Sequence, residues 1–273
     1  MKPEKINLWP GPAPVGNGVF DPATPSITVY RPSLTNGTSI VICPGGGYSS
    51  VVIEPEGHGI ARWLNGYGIT GIVLDYRLPQ GRPFVPLLDA QRAIRMARSQ
   101  GREWNGNPNR LGIMGFSAGG HLAATAGNRF DSGNPNAADP IERFSCRPDF
   151  MILIYPLIRM DDKKLEGCMN SLLGTKPDAE LKDLFSCERQ VTRQTPPAFL
   201  AHARNDTIVS PDHSRLFAEA LRTKGVATEY LELPEGDHGL NGYQGPMWDA
   251  WQASSMAWLA CRMKTPDYQL AAD

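Results

Sequence analysis

The sequence predicts an α/β fold, a mostly parallel central sheet with helices on both faces, and three observations carry that prediction. Short apolar runs alternate along the 273-residue chain with segments whose apolar residues recur at helical spacing. Phe150-Met151-Ile152-Leu153-Ile154-Tyr155 is apolar throughout, as a strand covered on both faces must be. Gly115-Phe116-Ser117-Ala118-Gly119 stands between the apolar run Leu111-Gly112-Ile113-Met114 and a helix-forming run that begins at His121.

The elements follow in order. Residues 1–36 are rich in Pro and Gly and read as a surface wrap, with 26–30 as an edge strand. Residues 39–43 form a strand, and 57–65 part of a helix ended by Gly66. Residues 71–76 are the next strand, and 86–98 a helix with apolar residues at helical spacing. The run 111–114 leads into the serine turn, and 150–155 is the strand that follows its helix. Residues 198–203 and 228–233 are two more strands, separated by a helix over 212–224 that Gly225 stops. A C-terminal helix covers about 246–262; its Trp248, Trp251 and Trp258 read as a packing stripe rather than a sugar platform. One interval, 156–197, breaks the rhythm. It reads as a lid-like insertion at the carboxyl edge of the sheet, where open α/β sheets bind ligands. A single domain over 1–273 is expected.

Composition narrows the function. Lys and Arg number 27 against 28 Asp and Glu, so nothing draws the chain to nucleic acid or an anionic membrane. No apolar stretch approaches the roughly 20 residues of a membrane span. Residues 1–9 lack the apolar core of a secretory signal, which leaves the compartment open. Five cysteines, an odd number, argue against a full disulfide framework, although Cys168 and Cys187 share one polar region and could pair. With no Cys-x-x-Cys and scattered histidines, neither metal nor cofactor is expected. Oligomeric state is left open.

Ser117 is the candidate nucleophile. A G-x-S-x-G turn between strand and helix lifts the hydroxyl clear of the sheet and sets it over a helix N-terminus, where negative charge is favoured. A glycine-rich turn with a solvated serine is the alternative, and partners elsewhere in the chain decide. A serine hydroxyl needs a base, and the base an orienting acid. With such an elbow they follow in the order acid, then histidine. His238 lies in the loop Pro234-Glu235-Gly236-Asp237-His238-Gly239, just past a strand, where it can swing over the sheet edge. His121 reads as a packing or capping residue, His202 as a core histidine, and His213 as an exposed helix residue. Asp206 is the sole carboxylate between the strand 198–203 and the first turn of the next helix. Capping a turn would be its other use. Backbone N–H groups of Gly46, Gly47 and Ala118 are the candidate oxyanion donors, because glycines allow close approach after the strand that ends at Cys43. The triple glycine lacks the lysine of a phosphate-binding loop. Tyr48, Glu54, Tyr76 and Tyr155, at or just past strand ends, are candidate substrate-binding residues.

Pro44-Gly45-Gly46-Gly47-Tyr48, Asp75-Tyr76-Arg77-Leu78, Gly115 to Leu122, Asn205-Asp206-Thr207 and Gly236-Asp237-His238-Gly239, with Leu8-Trp9-Pro10-Gly11 at the start, carry a resemblance over nearly the whole chain. It resembles α/β-hydrolases of the esterase/lipase superfamily, in particular the acetyl xylan esterase-like and feruloyl esterase-like members of the hormone-sensitive-lipase-like group. Pro44 stands where many of that group have histidine, a form the carbohydrate-esterase-like members share. The resemblance implies a serine esterase for small-molecule or polysaccharide esters with short acyl groups. A serine peptidase of the same fold and a non-catalytic binding protein on this scaffold are the alternatives.

Overall fold

The structure is a computed structural model, and it describes residues 2–15, 24–104 and 106–263. Eight strands form one sheet in the order β1-β2-β4-β3-β5-β6-β7-β8. They are β1 (Glu4–Asn7), β2 (Ser26–Tyr30), β3 (Ser39–Cys43), β4 (Thr70–Asp75), β5 (Leu111–Phe116), β6 (Phe150–Ile154), β7 (Ala198–Ala203) and β8 (Thr228–Leu233). β1 and β2 run antiparallel to their neighbours, and every other pairing is parallel. The expected mostly parallel sheet is therefore present.

Strand side chains alternate between two cores, the period-2 consequence of the pleat. Val41, Ile113, Met151 and Leu200 face a layer formed by α2 (Phe84–Ser99), α3 (Ser117–Asn128) and α6 (Asp212–Thr223). Ile42, Phe116, Ile152 and Phe199 face α1 (Gly59–Asn65) and α8 (Gly245–Met263). The Trp248, Trp251 and Trp258 stripe belongs to this second core, with the Trp248 ring stacked on Phe116 at 6.1 Å. No helix among the described residues is long and apolar enough to cross a membrane.

Two expectations need correction. The edge strand is β1, not 26–30: β2 pairs on both sides, in register Ile6↔Ile27 and Ile27↔Leu74. Glu4-Lys5-Ile6-Asn7 is too short and polar to signal a strand, and such polar segments are what sheets place at exposed edges. His213 is buried, not exposed. Its Nδ1 accepts the Ile158 N–H at 2.9 Å, its Nε2 faces Asp162 at 3.3 Å, and burial holds its pKa below the ordinary histidine value. The first turn of α6 lies under residues 156–197, so this histidine braces that segment. The segment carries α4 (Glu166–Leu173) and α5 (Ala179–Phe185) between β6 and β7. Cys168 and Cys187 are free thiols, each pushed up to about 12 by burial.

Candidate active site

β5 delivers Ser117 at its carboxyl end, and the turn is tight for steric reasons. Ser117 has φ +53°, a left-handed conformation that costs a non-glycine residue free energy. A Cβ at Gly115 would lie 2.1 Å from the Gly119 carbonyl oxygen, and one at Gly119 would lie 2.1 Å from the Cys43 carbonyl oxygen. Both glycines are therefore obligatory: the chain can fold back on itself and touch β3 only where side chains are missing. Ala118 follows in the first turn of α3, where N–H groups have no carbonyl one turn earlier to bond.

The three residues singled out from separate loops meet here. His238 Nε2 is 2.9 Å from Ser117 Oγ, and His238 Nδ1 is 2.7 Å from Asp206 Oδ2. The Asp206 side chain is fully buried and the imidazole is 21% exposed. Asp206 Oδ1 accepts the N–H groups of Ile208 and Val209, each at 2.9 Å, and Oδ2 also accepts from His202 Nε2 at 3.1 Å. His202 must donate through Nε2, because the same nitrogen faces the Val209 carbonyl at 2.9 Å; its Nδ1 then accepts from Ser214 Oγ at 2.8 Å. Burial works against the charge on Asp206, yet the hydrogen bonds from His202 and His238 hold its carboxyl well below the usual carboxylate range. An ionised Asp206 fixes His238 with its proton on Nδ1 and its lone pair toward Ser117, the tautomer in which the imidazole can take a proton.

The loops that carry the acid and the histidine are stitched together. Asp237 Oδ1 accepts the Thr207 N–H at 2.8 Å and the Thr207 hydroxyl at 3.0 Å, while the Asp237 N–H donates to Asn205 Oδ1 at 3.0 Å. Asn205 and Asp237 immediately precede Asp206 and His238, so the crosslinks set the separation of the two loops that the His238–Asp206 pair needs.

Gly46 and Gly47, with φ +126° and +63°, line the same pocket as Ser117 and His238. The pocket holds about 240 Å³, and its apolar wall is Val52, Leu157, Leu165, Cys168, Ile208 and Val209, with Glu56 and Tyr243 as polar members. Leu157, Leu165 and Cys168 come from the segment after β6. No group of three or more His, Cys, Asp or Glu residues among the described residues could hold a metal ion.

The expected substrate contacts lie elsewhere. Tyr48 is buried and donates its hydroxyl to His121 Nδ1 at 2.8 Å, while His121 Nε2 donates to the Phe185 carbonyl at 2.7 Å. Tyr76 is buried and donates to the Pro44 carbonyl at 2.8 Å. Tyr155 is buried against Glu56. Glu54 points to solvent and pairs with Arg62. The three phenols turn inward because each tip finds a partner beneath the loops, so they support the pocket floor rather than its wall. His121 has the packing role expected of it, with a burial-lowered pKa of about 4. Glu56 and Tyr243 also line the pocket, and neither stands out in the sequence. Glu56 sits in a π-helical turn, Glu54–His58, whose extra residue changes which of two neighbouring glutamates turns inward. The chain reverses through Tyr243 at φ +67°, for which the sequence offers only adjacent glycines as a signal.

Known proteins with similar chains include several named esterases. The BD-FAE family model matches residues 27–221. The chain is 34% identical over 225 residues to an acetylxylan esterase of Xylanibacter ruminicola, covering 80% of this chain and 44% of that protein. It is 34% identical over 219 residues to endo-1,4-beta-xylanase B of Butyrivibrio fibrisolvens, covering 78% of this chain and 34% of that one. The chain thus spans less than half the length of these curated relatives. A crystal structure of an acetyl ester-xyloside bifunctional hydrolase from Caldicellulosiruptor lactoaceticus superposes with a TM-score of 0.89 at 38% identity, covering 95% of this chain and 96% of that one. With its strand order and elbow geometry, the chain is an α/β-hydrolase and belongs to the BD-FAE family.

Proposed function

We propose that the protein is a serine carboxylesterase that removes short acyl groups, acetyl foremost, from carbohydrate esters such as acetylated xylan. The observation that carries this reading is the chain of hydrogen bonds from Ser117 through His238 to Asp206, at 2.9 and 2.7 Å. Ser117 Oγ attacks the ester carbonyl as His238 Nε2 takes its proton. Asp206 keeps the ring in place and stabilises the imidazolium. The N–H groups of Gly46, Gly47 and Ala118 receive the oxyanion. His238 returns the proton to the leaving alcohol, and water then hydrolyses the acyl-enzyme by the reverse route. The small apolar wall favours a short acyl chain. The carbohydrate half of the reading draws on the names of the acetylxylan esterase and the acetyl ester-xyloside hydrolase, to which the chain is similar.

Turnover of p-nitrophenyl acetate, butyrate and octanoate, of acetylated xylan, and of an aminoacyl anilide, by wild type and Ser117→Ala, tests the proposal. Acetate hydrolysis that falls by about 10⁶-fold in the variant is the expected result. Ester turnover that survives the substitution defeats the nucleophile assignment. Anilide cleavage in excess of ester cleavage points to a peptidase, and an inert, folded wild type to a binding protein.

A further inference from the structure

The steps above leave one buried ionisable group of the pocket without a task. Glu56 is 2% exposed and lines the same pocket as Ser117 and His238. Its two oxygens reach different parts of the site. Oε2 accepts the Gly45 N–H at 2.6 Å, immediately before the Gly46-Gly47 donors. Oε1 accepts the Tyr155 hydroxyl at 3.0 Å, and the Tyr155 ring lies 4.8 Å from the His238 imidazole. The phenol of Tyr243, another pocket residue, comes to the same carboxyl.

The arrangement is held under strain and close contact. Tyr155 adopts φ +39° at the end of β6. A Cβ at Gly57 would lie 2.8 Å from Val73 Cγ1 and 3.2 Å from Pro44 Cγ, so the π-helical turn is pressed onto the start of the glycine loop. Turns of this kind concentrate at functional sites because the extra residue re-aims a side chain. Burial raises the Glu56 pKa, opposed by the hydrogen bonds from Gly45 and Tyr155. Keeping a carboxyl in such surroundings costs stability, which a scaffold role alone does not require.

We propose that Glu56 is a positioning residue for the ester chemistry: one buried carboxyl fixes the oxyanion loop through the Gly45 N–H and holds the Tyr155 ring against His238. The donors and the base are thereby set from a single point. This inference rests on the esterase reading above.

The test is a graded series: Glu56→Ala, Glu56→Gln and Tyr155→Phe, with kcat and KM for p-nitrophenyl acetate expressed per active site titrated by an organophosphate that phosphorylates Ser117. Glu56→Ala is expected to lower kcat per site by about 100-fold with little change in KM. Glu56→Gln can still accept from Gly45 and donate to Tyr155, but without charge assistance, so a loss of about three- to tenfold is expected. Tyr155→Phe, which keeps the ring and loses the link, is expected to lose about tenfold. A carboxyl whose folded pKa is raised contributes stability when protonated and loses that contribution as pH rises through the folded pKa. Glu56→Gln should therefore keep or raise Tm at neutral pH while kcat falls, a split that a purely structural role does not give. Unchanged kcat per titrated site in the folded variants overturns the proposal, even where Tm or the number of titratable sites drops. If Glu56→Ala does not fold, Glu56→Gln and Tyr155→Phe decide by the same criterion. Turnover that survives Ser117→Ala defeats the esterase reading itself; turnover lost there but intact in this series defeats only the role of Glu56.

Discussion

Asp206 holds four hydrogen bonds on two oxygens, from Ile208 and Val209 N–H, His202 and His238. That saturation holds the carboxyl ionised against burial, which works the other way. Asp206→Asn preserves shape but can present an N–H to His238 Nδ1, which favours the wrong tautomer; a fall in kcat of about 10³- to 10⁴-fold is expected from steady-state kinetics. The stability consequence has a definite sign. Because the folded pKa is lowered, the contribution of Asp206 is fully present above the ordinary carboxylate pKa and is lost as pH falls below it. The Tm difference between wild type and Asp206→Asn should accordingly shrink from neutral toward acid pH, as calorimetry would record. Ser117, Asp206 and His238 were legible as candidates in the sequence because each follows closely on a strand end. Glu56 was not, since only folding decides that it rather than Glu54 faces inward.

The elbow makes the sharpest demand on any element. Gly119→Ala would force a methyl to 2.1 Å from the Cys43 carbonyl oxygen, and backbone cannot yield as a side chain can. A destabilisation of about 3 kcal/mol or more is expected in urea unfolding, with activity lost beyond what the unfolded fraction explains. The interior strands and the helices around them were legible for a plain reason: β3, β5, β6 and β7 are buried on both faces, so their runs are apolar at nearly every position, with His202 the exception inside β7. β1 was illegible, because an exposed strand of four polar and apolar residues carries no periodic signal. His213 was misread for a related reason. A polar residue in the first turn of α6 looks solvated until residues 156–197 fold over it.

The N-terminal motif is tied into the same body. Arg77 binds Asp89 with both partners buried, at 2.7 Å, while Trp9 Nε1 reaches Asp89 at 3.4 Å and Arg92 lies 4.7 Å over the Trp9 ring. These contacts anchor the Leu8-Trp9 segment to α2 and, through Asp89, to Arg77 just past β4. The segment after β6 contributes Leu157 and Leu165 to the pocket wall. Leu165→Ala should open the acyl wall: the ratio of kcat/KM for octanoate over acetate is expected to rise by about tenfold, with acetate turnover little changed. An unchanged ratio would assign the chain-length limit to Ile208 and Val209 instead. The nucleophilic role of Ser117 is tested most directly by acid-quenching the enzyme during turnover of p-nitrophenyl acetate and mapping the covalent adduct by mass spectrometry. A single acetyl group on Ser117, absent from Ser117→Ala, is the expected result. An acetyl group on another residue, or sustained turnover with no adduct in a burst experiment fast enough to trap one, would contradict it.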